Sequence, residues 1–203
     1  MPPRLKYTIV GVTACGLAVV AGLWAAALGG SRAAGPEGTG AFNGAVRPAG
    51  AGVPEFALRD QEGRLVRSGE LLERGEPVVF TFVYSTCEDT CPIQVQQIRG
   101  ALDRLGRDLP VVGVSVDPAN DTPRRARSFL LEQHMTGRMT FLLGDEDQLE
   151  PVWEAFGIAP QRHGREHSAY VVVVDGAGRQ RVGFPASQLT VDGLAGDLRR
   201  LGA

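Results

Sequence analysis

The sequence predicts an α/β domain carried behind an amino-terminal apolar segment, and three observations predict it. Runs of β-forming residues alternate with stretches of helical period, as they do where helices pack on a shared sheet. Two of those runs, Val78 to Tyr84 and Val111 to Val116, flank a helical stretch and make a βαβ unit. An uncharged run from Tyr7 to Leu28 stands apart from all of this.

Taken in chain order, residues 1–6 carry Arg4 and Lys6 ahead of that run. At ~1.5 Å per residue, residues 7–28 are long enough to cross a ~30 Å hydrocarbon core. Positive charge in front puts the amino terminus in the cytoplasm and the remainder on the extracytoplasmic side, as a single-pass anchor of the cell membrane. Two other readings stand beside the anchor. Ala25 and Ala27 supply the small-x-small pattern of a cleaved signal peptide, although its apolar region is typically only ~7–15 residues. Val12-Thr13-Ala14-Cys15 looks like a lipobox, yet the chain stays apolar through Trp24 and Leu28, where a mature lipoprotein turns polar. Cys15 therefore reads as a small, lipid-compatible residue. All three readings export the main domain. Residues 29–52, rich in Gly, Ala and Pro, bury too little to offset their ordering entropy and read as a flexible linker.

Residues 53–203 read as the folded domain. Phe56-Ala57-Leu58 and Leu65-Val66 flank an Asp60-Gln61-Glu62-Gly63 turn, a short hairpin. Val78 to Tyr84 is a strand buried on both faces. Val95, Ile98, Leu102 and Leu105 fall at helical spacing, with Pro92 suited to the first helical position and Gly106 as the stop. Val111 to Val116 is the second buried strand. A helix from Pro123 to His134 follows, with Asp121 or Thr122 as its cap. Thr140 to Leu143 is a short strand, and Val152, Trp153 and Phe156 mark a helix ending at Gly157, its start blurred by Pro151. Tyr170 to Val174 and Gln180 to Phe184 form a hairpin around Asp175-Gly176-Ala177-Gly178, and Leu194 and Leu198 mark a closing helix. A βαβ unit, a further helix, a hairpin and a final helix are what a thioredoxin-like fold requires.

Composition limits the function. The 203 residues hold 21 Lys+Arg against 23 Asp+Glu, so no basic excess exists to track phosphates and nucleic acid is disfavoured. The 43% hydrophobic content is too high for a disordered chain. Residues 53–203 alone contain 17 arginines and 22 acidic residues, a net of −5, which suits a cation or a basic partner.

The chemistry concentrates at the end of the first buried strand, in Tyr84-Ser85-Thr86-Cys87-Glu88-Asp89-Thr90-Cys91-Pro92. Thiols gathered where a strand hands over to a helix face unpaired N–H groups that favour the thiolate. A four-residue separation can bring two sulfurs close enough to bridge or to share a metal. A plain staple is the blander alternative, but so small a loop gains little in chain entropy. Glu88 and Asp89 should oppose thiolate formation, unless they are simply a solvated loop tip. Asp117, at the carboxyl end of a central strand, lies on the edge where sites in open α/β sheets collect. It can orient a site from behind, whereas Asp121 serves equally as a turn or helix cap.

Three stretches resemble the SCO/SenC family of membrane-anchored copper chaperones. They are Phe82-Val83-Tyr84-Ser85-Thr86-Cys87 through Cys91-Pro92, Ser115-Val116-Asp117-Pro118 with Asp121-Thr122-Pro123, and His167-Ser168 ahead of the Tyr170 strand. The resemblance implies a thioredoxin-like domain that binds copper through Cys87, Cys91 and His167. It also implies delivery to the dinuclear copper site of cytochrome c oxidase subunit II, with other copper chaperones or thiol reductants as further partners. One departure is visible: the family often has proline directly after the first cysteine, where this chain has Glu88, which bears on loop rigidity and thiol acidity. Two thiolates and an imidazole are a soft, low-coordinate set suited to Cu(I), with Cu(II) as a second state. Zinc usually takes a fourth ligand.

The remaining candidates have plainer readings. His163 sits in an exposed loop, its i, i+4 relation to His167 weakened by Gly164, and His134 ends a helix as a favourable cation. Met135 and Met139 read as packing residues. A thiol-disulfide oxidoreductase or peroxidase on the same fold is the competing function. Ordinary oxidoreductases of this fold have Cys-x-x-Cys and a proline before the hairpin strand, whereas this chain has the longer spacing and His167-Ser168. A structural assembly protein with an inert disulfide is the third class.

Overall fold

A computed structural model of the chain describes residues 42–161 and 168–203. Its strands are β1 (Ala45–Val46), β2 (Ala57–Asp60), β3 (Leu65–Arg67), β4 (Val78–Val83), β5 (Val111–Ser115), β6 (Thr140–Leu143), β7 (Tyr170–Val174) and β8 (Gln180–Pro185). Its helices are α1 (Ser68–Leu72), α2 (Thr90–Leu105), α3 (Pro123–Glu132), α4 (Glu146–Phe156) and α5 (Val191–Arg200). The strands form one mixed sheet in the order β1-β8-β7-β4-β5-β6-β2-β3. Parallel β4, β5 and β6 occupy its middle, the antiparallel β7–β8 hairpin adds to β4, and the β2–β3 hairpin adds to β6.

The central strand dictates the layers. All six residues of β4 are buried, so its alternating side chains feed two cores. Val79 and Val83 pack with Val95, Ile98 and Leu102 of α2 and with Leu194 and Leu198 of α5. Val78, Phe80 and Phe82 pack on the other face with Leu149, Val152, Trp153 and Phe156 of α4. There the Phe156 ring lies 4.9 Å from Phe80 and 5.2 Å from Phe82. At about 1.5–3 kcal/mol per fully buried large apolar side chain, β4 is pinned from both sides. The cysteine turn leaves from its carboxyl end, on the side of the α2 and α5 core.

Most expected elements are present, and the differences have physical causes. Helix α2 begins at Thr90, so Pro92 is its third residue; the proline N–H would be unpaired anywhere in the first turn, which makes the later position equally acceptable. Gly106 stops the helix in a left-handed conformation, φ 72°, and its N–H caps the Leu102 and Asp103 carbonyls. Helix α4 runs through Pro151. An Asp145–Gln148 capping box and four buried apolar side chains offset the missing hydrogen bond. Thr122, not Asp121, caps α3: its side chain accepts the Arg125 N–H at 3.3 Å.

The boundary at Val53 moves toward the amino terminus, because Ala45 and Val46 already pair with Gly183 and Val182 of β8. A Gly-rich composition suggested a linker there, but glycine is what the contact demands. A Cβ at Gly44 would collide with Val182 Cγ1 and approach the Gly183 carbonyl within 2.9 Å. The apolar segment 7–28 lies outside the described residues, as does Cys15; among the described residues no helix is long and apolar enough to cross a membrane.

Candidate metal centre

Past Val83 the chain turns sharply, with the Cys87 N–H donating to the Tyr84 carbonyl at 3.2 Å. Glu88 and Asp89, with Thr90 as the first residue of α2, form an exposed tip. Cys91 thus falls in the first turn of a helix, where backbone N–H groups have no intrahelical partner. Its own N–H points back to Cys87 Sγ at 3.3 Å. No disulfide joins the two cysteines; Cys91 is fully buried, while Cys87 retains 8% exposure at the surface of the turn.

This geometry makes the thiols unequal. The Cys91 thiol donates to Cys87, and the Cys91 N–H, the Tyr84 hydroxyl and the Asp89 N–H add to it against the cost of burial. Together they pull the Cys87 thiol down to about 5. Cys91 is pushed far up, first by giving that hydrogen bond and then by burial. One proton therefore belongs to the pair and resides on Cys91. Tyr84 also rises, chiefly through burial and then through its hydrogen bond to Cys87. Glu88 and Asp89 are the solvated tip of the plainer expectation, and Asp89 contributes to the thiolate through its backbone.

Beneath the turn lies a carboxylate frame. Asp117 accepts both hydrogen bonds from Asn120 Nδ2, at 3.0 and 2.9 Å, and its carbonyl accepts the Asn120 and Asp121 N–H groups. Asp121 reaches between the two strand ends: Oδ1 accepts the Ser85 N–H at 2.7 Å and the Ser85 hydroxyl, and Oδ2 accepts the Ser115 hydroxyl. Burial raises the Asp121 pKa above the ordinary carboxylate value, against the lowering effect of these donors. On the helix side, Gln94 is buried and its Nε2 donates to Thr81 Oγ1 and to the Tyr170 carbonyl at 3.2 Å. Gln94 thereby ties α2 to the start of β7.

Tyr84, Ser85, Ser115 and Gln94 received no role from the sequence. Ser115 and Gln94 had a usable signal: each is a polar residue at an apolar position of a buried strand or a core-facing helix stripe, which requires a partner. Met135 and Met139 are core residues, the Met139 methyl packing in the space left by Gly113. His134 is exposed and ends α3 with φ 55°, its N–H on the Leu131 carbonyl. His163 and His167 lie outside the described residues. Next to them in sequence, the Gln161 N–H donates to the Val116 carbonyl at 2.8 Å and the Ser168 N–H to the Ala159 carbonyl at 3.0 Å. Among the described residues no three His, Cys, Asp or Glu side chains cluster to hold a metal, so the two thiols stand as a soft pair.

A model of the SCO1/SenC family matches residues 45–202. The chain belongs to the SCO1/SenC family. An SCO2-like protein of Rickettsia conorii is 26% identical over 137 residues, 62% of this chain and 65% of its own length. Protein SenC of Rhodobacter capsulatus is 32% identical over 50% of this chain and 45% of its own. A Stutzerimonas stutzeri protein named for copper binding is 26% identical over 70% of this chain and 72% of its own. The chain spans about 65% of the length of the first of these relatives. Among solved structures, copper-bound ScoI of Bradyrhizobium japonicum superposes with a TM-score of 0.61 at 28% identity, covering 74% of this chain and 99% of that one. Copper-bound ScoI of Arabidopsis thaliana shares the fold, with a TM-score of 0.64 at 21% identity over 74% of this chain and 98% of that one. The mixed α/β sheet with its cysteine turn is thus the family's thioredoxin-like architecture.

Proposed function

We propose that this SCO1/SenC protein is a copper chaperone: it takes up copper on Cys87 and Cys91 with His167 as third ligand, and delivers it to the dinuclear copper site of cytochrome c oxidase subunit II. The observation that carries this reading is the pair of unbridged, shielded thiols sharing one proton at the mouth of a helix. Copper is cargo here, and a soft two-sulfur seat suits it. Cys87 offers a thiolate at neutral pH, and loading would release the remaining proton from Cys91. The copper-bound relatives support the metal, and the resemblance of His167-Ser168 to the family's pattern supports His167 as the third ligand. Attachment to the cell membrane through residues 7–28, with the domain extracytoplasmic, belongs to the same proposal.

Anaerobic titration of the reduced full-length chain with Cu(I), against a competing chelator, tests it. One copper per chain is expected. Cys87→Ser or Cys91→Ser should abolish tight binding, and His167→Ala should weaken it about 10- to 100-fold. The disulfide form should take up none until reduced. Undiminished affinity after His167→Ala removes that ligand from the set, and undiminished affinity of the oxidised form removes the cysteines. A second reading, a thiol-disulfide oxidoreductase acting on oxidase-assembly cysteines, is favoured by the same inequality, since an ionised outer thiol and a protonated buried one suit attack and resolution. It predicts disulfide turnover that survives His167→Ala.

A further inference from the structure

The Asp121 carboxylate has more structure around it than a helix cap needs, and it is not a cap: Thr122 holds that place. Its backbone is fixed from behind, because the Asp121 N–H donates to the Asp117 carbonyl at 2.9 Å within a turn that Asn120 closes on the Asp117 carboxylate. From that base the side chain spans two adjacent strand ends. One oxygen takes both donors of Ser85, its N–H and its hydroxyl, and the other takes the hydroxyl of fully buried Ser115. Ser115 is itself anchored, its carbonyl accepting the Trp153 indole N–H at 2.9 Å.

The span matters because of where Ser85 lies. It is the second residue past the end of β4 and the second before Cys87, in the stretch that turns through the Tyr84 carbonyl to Cys87. Cys91 needs no such strut, since α2 and its core hold it. Cys87 has only the turn, and the exposed Glu88-Asp89-Thr90 tip cannot fix it. Three hydrogen bonds converge on a single carboxyl group at the root of this turn, and two of them hold Ser85 by both its N–H and its hydroxyl. We propose that Asp121 is a positioning residue of the metal centre, tying Ser85 to the end of β5 so that the Cys87 sulfur is held at the separation from Cys91 that copper requires. This rests on the reading of both cysteines as copper ligands, and it makes a claim about sulfur geometry that stands apart from that reading.

The test uses the full-length chain and Asp121→Ala, Asp121→Asn, Ser85→Ala with Ser115→Ala, and Thr122→Ala as a control. Two readouts are taken: Cu(I) affinity with the sulfur-to-Cu(II) charge-transfer band, and the equilibrium of the copper-free cysteines with glutathione. In the second, the two thiols give two electrons and two protons to oxidised glutathione, which leaves as two molecules of its thiol, and the equilibrium reports the effective concentration of one sulfur at the other. Asp121→Ala should lower copper affinity about tenfold or more, as loss of an outer partner does in other metal sites, and shift the band. It should also move the glutathione equilibrium several-fold. Asp121→Asn, which keeps one oxygen for Ser85, should fall between. Thr122→Ala should lower the unfolding midpoint and leave both readouts alone. Wild-type affinity and band in Asp121→Ala overturn the proposal. If that variant does not fold, the double serine variant carries the same test, and wild-type values there overturn it. Should the parent chain bind no copper, the chaperone reading fails by itself, and an unmoved glutathione equilibrium then overturns the positional claim as well.

Discussion

Cys87 and Cys91 share a proton because the chain between them makes one the acceptor of the other's N–H and S–H. The motif was legible, since two cysteines at a strand-to-helix junction announce reactive sulfur. Their inequality was not. It depends on α2 starting at Thr90, two residues before the proline that marks a helix start, and on a Tyr84 phenol that reads in sequence as the last residue of an apolar run. The inequality has a pH signature in the reduced, copper-free protein. Cys87 titrates at about 5, so alkylation of this thiol should rise as pH passes through that value and then level off. Cys91 should stay unreactive across the same range, being protonated and fully buried. The folded pKa of Cys87 lies below its unfolded value of about 8.5, so the ionised thiol stabilises the fold fully above about 8.5 and progressively less as pH falls toward 5. Cys91 is protonated in both states over most of that window and adds no slope there; as pH nears and passes about 8.5 its raised pKa works against the fold, because only the unfolded thiol ionises. A site-resolved alkylation profile checks this; a single midpoint near 8.5 for both thiols would refute it.

At the scale of elements, periodicity found β2 to β8 and the four longer helices, and missed two-residue β1 and five-residue α1, which are too short to show a period. It erred where a local rule met a tertiary contact. Asp121 obeys the rule for a cap, yet its carboxylate is taken by Ser85 and Ser115, partners far away in sequence and invisible to spacing. Pro151 obeys the rule for a helix breaker, yet α4 continues, because Leu149, Val152, Trp153 and Phe156 bury together on both sides of it. That override carries a measurable cost. At its sixth helical position Pro151 cannot donate to the Asp147 carbonyl, and its ring crowds that carbonyl. Proline also restrains the unfolded chain, which returns about 0.4–1 kcal/mol of the penalty of ~3 kcal/mol relative to alanine. Pro151→Ala should therefore stabilise the protein by about 2–2.5 kcal/mol, read as a higher denaturant midpoint at unchanged slope. An equal or lower midpoint would mean that the α4 backbone is already adapted to the proline.

Across the whole molecule, the outermost strand depends on the last helix. Strand β1 is two residues long, and so brief an edge pairing with β8 is a weak hold on the segment that enters the domain. The stronger hold is Asp197 in α5, fully buried, whose carboxylate accepts the Asn43 N–H at 2.7 and 2.9 Å, the Gly44 N–H at 2.9 Å and Asn43 Nδ2 at 2.8 Å. Composition could not reveal this, because an acidic residue near the end of a helix reads as solvent-facing and a Gly-Ala-Pro stretch reads as a linker. Removing the carboxylate strands several donors at once, and hydrogen bonds to a charged acceptor are worth about 1.5–3 kcal/mol each before water returns to the exposed ones. Asp197→Ala should thus cost about 2–3 kcal/mol. It should also loosen residues 42–46 ahead of global unfolding, since their remaining sheet pairing is the short β1 ladder, whereas residues 47–53 keep the Arg47 bonds to Gln180 and the Phe156 carbonyl and the backbone bonds to Gly178 and Gln180. Limited proteolysis with a protease of broad specificity should then cut the variant around residues 42–46, under conditions where the parent is resistant; the bond after Arg47 is itself no site for trypsin, because Pro48 follows it. The cysteine turn, at the opposite edge of the α2 core, should keep its alkylation profile. Cleavage around residues 42–46 equal to that of the parent would show that β1 holds without the Asp197 clamp.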